Sequence, residues 1–175
     1  FGEQQLILST TGKISRELFE ARKSQQHVTF SDFLSVGGMG HVSSIAVGVA
    51  HASKQRLICL DGDGSTIMHM GSLAEVARSK NIAHFVLNNG CHESVGGQPT
   101  LGFDIDLCGI ATAMKYDHVM KVRNETEFKL FLKQFASFDG SIFAEFVCTK
   151  GSRADLGRPT SSPQDNKKGF MSRLL

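Results

Sequence analysis

Short apolar runs alternate with longer segments of helical spacing along nearly the whole chain, and this rhythm limits the fold more than any other feature. The runs at residues 5–9, 56–60, 84–87, 118–122 and 141–147 are bounded by glycine or polar residues, and several are apolar at consecutive positions. Strands buried on both faces have that composition. Between them, residues 15–23, 43–52, 72–80, 106–115 and 125–138 carry apolar side chains three or four apart, most plainly Phe128, Phe131, Leu132, Phe135 and Ala136. A helix that buries one face needs this spacing. Strand and helix in alternation predict an α/β fold, a mostly parallel sheet with helices on both faces.

The chain has 175 residues, enough for one ordinary core and too few for two self-sufficient ones. Its 19 basic and 17 acidic residues are well mixed and leave a formal charge of +2. Charge therefore gives no argument for nucleic acid or a membrane surface as partner. Cys59, Cys91, Cys108 and Cys148 lie far apart without a C-x-x-C spacing, which disfavours a zinc ribbon or a disulfide framework. No apolar run approaches the ~20 residues of a membrane span, and a cytoplasmic protein is expected. The sequence opens at Phe1 without a methionine, so the expectation is the end of something longer or a small subunit.

In parallel sheets, ligands collect beyond the carboxyl ends of the strands. Three polar, glycine-containing stretches follow apolar runs and should share that rim: Thr10-Thr11-Gly12-Lys13, Gly62-Asp63-Gly64-Ser65 and Asn88-Asn89-Gly90-Cys91-His92. Asp63 offers a carboxylate ligand, and the glycines and Ser65 leave backbone N–H groups open to phosphate oxygens. Asn89 follows 26 positions later, room for one helix and one strand, so the two loops should occupy adjacent strand ends. A carboxylate with an amide oxygen is a partial shell for Mg²⁺, which takes its other ligands from water and phosphate. Two further readings of these residues stand beside this one: ordinary Asp-Gly and Asn-Asn turns, and a haloacid-dehalogenase-like phosphatase with Asp61 as nucleophile and Asp63 as acid. The string Ser-Val-Gly-Gly occurs twice, at 35–38 and 94–97, marking two places where a backbone or ligand approaches closely. Residues 151–175 read as a solvated basic arm closed by a short helix near 166–175.

Gly62-Asp63-Gly64-Ser65 followed by Asn88-Asn89 resembles the signature of thiamine-diphosphate-dependent enzymes. The wider setting is similar to phosphonopyruvate decarboxylases: Thr11-Gly12-Lys13-Ile14-Ser15-Arg16-Glu17-Leu18, Asp32-Phe33-Leu34-Ser35-Val36-Gly37-Gly38-Met39-Gly40-His41, His69-Met70-Gly71-Ser72-Leu73, Asn88-Asn89-Gly90-Cys91-His92-Glu93-Ser94-Val95-Gly96-Gly97-Gln98-Pro99-Thr100 and Gly157-Arg158-Pro159-Thr160. The resemblance implies that Asp63, Asn89 and the Cys91 carbonyl hold Mg²⁺ against the diphosphate of thiamine diphosphate. It implies that Thr11, Lys13, Gly62, Gly64 and Ser65 border the cofactor, that Met39 is a wedge beneath it, and that the Gly37 carbonyl faces its aminopyrimidine. The Lys13 side chain departs from the small polar residue found in many thiamine enzymes. The implied reaction is decarboxylation of phosphonopyruvate to phosphonoacetaldehyde. His41 and His92, in rim loops, are candidate proton carriers or phosphonate partners, and Glu93 is another proton carrier. The remaining histidines are expected to be structural.

Such enzymes also need a carboxylic acid from a pyrimidine-binding domain, and no second α/β domain fits here. The chain is therefore expected to be a single diphosphate- and Mg²⁺-binding domain across 1–175, inactive until a pyrimidine-binding domain or subunit completes a homo- or hetero-oligomer. The alternatives are a sulfopyruvate decarboxylase small subunit, whose substrate carries sulfonate for phosphonate, and a non-catalytic cofactor-binding half.

Overall fold

The computed structural model describes residues 5–24, 32–53 and 55–174. His27 lies outside them. The chain runs β1 (Leu6–Ser9), α1 (Lys13–Ser24), β2 (Asp32–Leu34), α2 (Val42–Ala52), β3 (Leu57–Gly62), α3 (Asp63–Met68), α4 (Ser72–Arg78), β4 (Ile82–Asn88), β5 (Cys91–His92), a 3₁₀ turn (Glu93–Val95), β6 (Gln98–Pro99), α5 (Leu107–Ala113), β7 (His118–Val122), α6 (Glu125–Phe135), β8 (Ile142–Val147) and α7 (Pro163–Met171).

Six strands form one sheet in the order β2-β1-β3-β4-β8-β7, every neighbouring pair parallel. All five apolar runs are strands of this sheet. Their side chains alternate between two cores, as the period of 2 requires. Leu6, Leu8, Leu57, Cys59, Ile82, Val86 and Phe143 face one side, with Val42 and Ala46 of α2 and Leu73 and Val76 of α4. Ile7, Ile58, Ala83, Phe85, Ile142 and Ala144 face the other. There Phe131 and Phe135 of α6 stand edge-on to Phe85. Phe128 and Leu132, which share the spacing of that stripe, stay exposed.

The sequence pattern did not disclose β2. It is three residues long and opens with a charged residue, Asp32, which is buried because Arg22 of α1 forks onto both of its carboxylate oxygens at 2.8 and 3.0 Å. Its outer edge is covered from far along the chain. Asn166 of α7 accepts from the Leu34 N–H at 3.0 Å and donates to the Asp32 carbonyl at 2.8 Å, and Phe170 meets Phe33 edge-on. A side-chain amide thus stands in for the next strand.

This corrects the expectation of a solvated tail. Arg153 pairs with Glu17, the Gly157 N–H donates to Glu20 at 2.8 Å, and both acids belong to α1. The terminal helix begins at Pro163, earlier than expected, where the Ser162 hydroxyl accepts from the Asp165 N–H. Among the described residues no helix is long and apolar enough to cross a membrane.

Candidate cofactor and metal site

The chain leaves β1 outward to β2 and returns past it to β3, so the strand order reverses between β1 and β3. At such a switch point the connections diverge and leave a crevice beyond the strand ends. A cavity of about 330 Å³ opens there. Its walls include Thr11 and Lys13 after β1, Gly62, Asp63, Gly64 and Ser65 after β3, and Asn89, Cys91 and His92 after β4, with Met39 closing one side. Ten of the twelve site residues expected from sequence therefore converge. Gly37 borders an adjoining cavity. His41 lines neither: it is exposed, its Nδ1 lies 3.1 Å from the Gly38 carbonyl oxygen, and its ring lies against His69. That placement separates it from the other candidates.

The Gly-Asp-Gly-Ser stretch was expected to be a loop. Instead Asp61 and Gly62 finish β3, and Asp63 begins α3 without an intervening turn. Asp61 is fully buried, accepts from the Gly62 N–H at 2.9 Å and the Thr66 hydroxyl at 3.2 Å, and lies 3.4 Å from Nε2 of His84. It is a brace beneath the site, so the phosphatase reading, which needs a substrate-facing nucleophile there, is overturned.

Asp63 is 2% exposed, and its carboxylate accepts from the Thr100 hydroxyl. Among the described residues it has no ion-pair partner. Burying an anion without a cation is costly. Asn89 is oriented from both ends of its amide: its oxygen accepts from the Cys91 N–H at 3.1 Å, and its nitrogen donates to Glu93 at 3.2 Å. Among the described residues no three or more His, Cys, Asp or Glu side chains could hold a metal together. The available set is one carboxylate, one amide oxygen and the Cys91 peptide carbonyl. Those are hard oxygen donors of the kind that suits Mg²⁺.

Glu93 also accepts from the Cys91 thiol at 3.0 Å and the Gly151 N–H at 3.1 Å. These bonds, with Lys13 and Lys150 nearby, hold its carboxyl below the usual range. Burial first, and the Glu93 carboxylate second, push the Cys91 thiol up to about 11. Cys91 is thus a neutral thiol at physiological pH, unsuited to nucleophilic work.

Loop ties fix the cavity's shape. The Ser65 hydroxyl bonds Thr10 at 3.0 Å and accepts from the Gly40 N–H at 3.0 Å, while Thr11 accepts from the Gly37 N–H at 3.2 Å. Met39 is held between them. The His92 ring packs so close to Gly64 that a Cβ there would meet its Cε1 at 2.4 Å. Sequence reasoning missed Glu145 and Gly102, which belong to no rim motif, and gave Thr100, the end of the 88–100 stretch, no role; His84 is structural, as expected. Asn88, its side chain turned inward, is the structural member of the asparagine pair.

Residues 10–146 match the family described as thiamine pyrophosphate enzyme, C-terminal TPP binding domain. The chain belongs to this family. It is 37% identical over 166 residues to a phosphonopyruvate decarboxylase of Streptomyces hygroscopicus, covering 94% of this chain and 40% of that protein. It is 34% identical over 156 residues to the sulfopyruvate decarboxylase subunit beta of Methanothermobacter thermautotrophicus, covering 88% of this chain and 78% of that subunit. The chain therefore spans about two fifths of the phosphonopyruvate decarboxylase and most of the subunit. An X-ray structure described as a thiamin diphosphate-dependent enzyme from Mycobacterium smegmatis shares the fold, with a TM-score of 0.64 at 20% identity over 86% of this chain and 29% of that one.

Proposed function

We propose that the chain is the diphosphate-binding half of a Mg²⁺- and thiamine-diphosphate-dependent 2-keto acid decarboxylase. The observation that carries this is the buried Asp63 carboxylate, without a cation partner among the described residues, on the wall of the switch-point cavity. Asp63, Asn89 and the Cys91 carbonyl would hold Mg²⁺. Thr11, Gly62, Gly64 and Ser65 would border the diphosphate, with Lys13 supplying a positive charge at its edge. Bound, the cofactor supplies the electron sink for loss of carbon dioxide. Met39 would wedge beneath it, and the Gly37 carbonyl would face its aminopyrimidine. His92, on the cavity wall, would carry the proton at a ring nitrogen. His41, which lines neither cavity, is left out of that role.

Phosphonopyruvate is the favoured substrate, supported by the 37% identity with a decarboxylase of that name. Sulfopyruvate is the second reading, supported by the 78% coverage of a subunit so named. That name, subunit beta, supports a division of labour between chains here too. The pyrimidine-binding part would come from a second chain or a further segment, and the chain without it would not turn over.

The test joins the chain to a matched pyrimidine-binding chain and measures carbon dioxide release from phosphonopyruvate, sulfopyruvate and pyruvate. Turnover that needs both chains and Mg²⁺ is expected. An assembled protein that retains the cofactor yet decarboxylates none of the three would sink the catalytic reading and favour a non-catalytic half.

A further inference from the structure

Two of the three proposed metal ligands, Asn89 and Cys91, send a side-chain donor to one and the same oxygen. Oε2 of Glu93 accepts from the Asn89 amide nitrogen at 3.2 Å and from the Cys91 thiol at 3.0 Å. A third donor reaches it from outside the loop, the Gly151 N–H at 3.1 Å. A carboxylate holds such donors more strongly than a neutral acceptor would. Sequence made Glu93 a candidate proton carrier, yet an oxygen already holding three donors suits a fixed anchor better.

The convergence decides how Asn89 is turned. An amide rotated by half a turn would set its oxygen against the Glu93 carboxylate and its nitrogen against the Cys91 N–H, two repulsive pairings in place of two bonds. The oxygen, which is the proposed metal donor, thus keeps one orientation. The backbone supplies part of the hold: Gly90, at a φ of 67° that favours glycine, lets Asn89 and Cys91 turn toward each other, and Cys91 pairs with Pro99 across β5 and β6.

Glu93 adds a tie to the rest of the molecule. The segment that leaves β8 lines the same cavity through Cys148, Thr149 and Gly151. It is fastened to the loop at two points, by the Cys148 N–H on the Asn88 carbonyl at 2.7 Å and by the Gly151 N–H on Glu93. Arg153 and the Gly157 N–H then hold it to Glu17 and Glu20 of α1. The loop is therefore moored to a segment that is itself anchored.

The structure assigns Glu93 as the positioning residue of the metal site: through Oε2 it holds Asn89 and Cys91 in place for the cation and acts on the metal only through them. The assignment rests on the metal reading above, and its test does not depend on turnover.

Mn²⁺, a hard cation that suits the same oxygen donors, is titrated into the purified protein with thiamine diphosphate in excess, and its free paramagnetic resonance signal reports binding. Glu93→Ala should lose roughly ten- to hundredfold in affinity, as removal of the partners behind metal ligands does. Glu93→Asp keeps the charge but is one methylene too short, and should lose nearly as much. Glu93→Gln keeps an oxygen for the three donors and should restore most of what Glu93→Ala loses. In the enzyme assembled with its pyrimidine-binding partner, Glu93→Ala should raise the Mg²⁺ requirement by a similar factor, with a smaller effect on the rate at saturating Mg²⁺.

Loss of turnover in Glu93→Gln with Mn²⁺ binding intact would restore the proton-carrier role and overturn the assignment. So would Glu93→Gln binding no better than Glu93→Ala, parent affinity in Glu93→Asp, or parent affinity in Glu93→Ala whether or not that variant melts lower. A parent protein that takes up no Mn²⁺ would defeat the metal reading and the assignment with it. Graded Mn²⁺ loss across the variants of a protein that decarboxylates no 2-keto acid would uphold Glu93 and defeat the decarboxylase reading alone.

Discussion

The Asn88 amide donates to Oε1 of Glu145 at 2.8 Å, joining the ends of β4 and β8 where both side chains are fully buried. The same oxygen meets Lys121 Nζ at 2.9 Å, and the Asn88 nitrogen also donates to the Gly102 carbonyl at 2.6 Å. One carboxylate therefore anchors the asparagine next to the proposed metal ligand Asn89. Glu145→Ala would leave the buried Asn88 amide one acceptor short and the part-exposed Lys121 ammonium without its partner, and should cost about 2 kcal/mol by urea unfolding. Glu145→Gln keeps an acceptor for Asn88 and should cost less than half of that. Equal losses in the two variants would mean that the negative charge, rather than the acceptor, holds the strand ends.

Asp63 is buried with a hydroxyl for company and no cation among the described residues. Without metal, Asp63→Asn should therefore melt at the same temperature as the parent or slightly higher, because it removes an uncompensated buried charge. With Mg²⁺ and thiamine diphosphate present, the parent should gain stability through binding to the native state, and the variant should gain none. Thermal melting with and without the two ligands decides it. A full ligand-induced rise in Asp63→Asn would remove the metal assignment.

The sheet was legible because its strands are apolar at nearly every position, as in residues 57–60 and 82–86, and such segments have nowhere to go but between two layers of helices. The rim was legible because Asp63, Asn89 and the glycines around them are chemically conspicuous. What escaped is held by partners distant in sequence. Asp32 passes as a loop residue until Arg22 and Asn166 are seen around it. Thr100, 37 residues from Asp63, closes the 88–100 stretch but has no visible role until its hydroxyl meets that carboxylate. The C-terminal arm has the polarity of a solvated tail, and only its pairing with Glu17 and Glu20 gives it a place.

Strong acid should loosen a contact remote from the cavity. Asp117 accepts from Lys80 Nζ at 2.7 Å and from both the N–H and the hydroxyl of Ser141, at 2.8 and 2.9 Å. The Lys80 bond foremost, then the Ser141 donors against some desolvation, lower its carboxyl to about 2. A depressed carboxyl stabilises the fold fully above the unfolded value near ~4, and that contribution fades as pH falls toward about 2. Asp117→Asn should melt below the parent at pH 7, with the gap closing between pH 4 and 2. A gap that stays constant over that window would assign the effect to packing or hydrogen-bond shape instead of charge.

Gly102 offers the sharpest separation of cofactor binding from ligand chemistry, because it donates no atom to the proposed metal site. A Cβ built there would meet Asn88 Oδ1 and Asp63 Oδ2 at 2.5 Å each, and Asp63 Cβ at 2.8 Å. Neither side chain is free to swing away: Asn88 is tied to Glu145 and to the Gly90 N–H, and Asp63 to Thr100. Gly102→Ala should therefore cost roughly 1–3 kcal/mol by overpacking and abolish the ligand-induced rise in melting temperature with every proposed ligand intact. Gly48→Ala is the matched control. It lies in α2 with nothing within 4 Å of a new Cβ, so it should gain up to about 1 kcal/mol from helix propensity and leave the ligand response whole. Retention of the full response in Gly102→Ala would mean that the carboxylate and the asparagine loop can part without loosening the metal, and that their close approach is incidental.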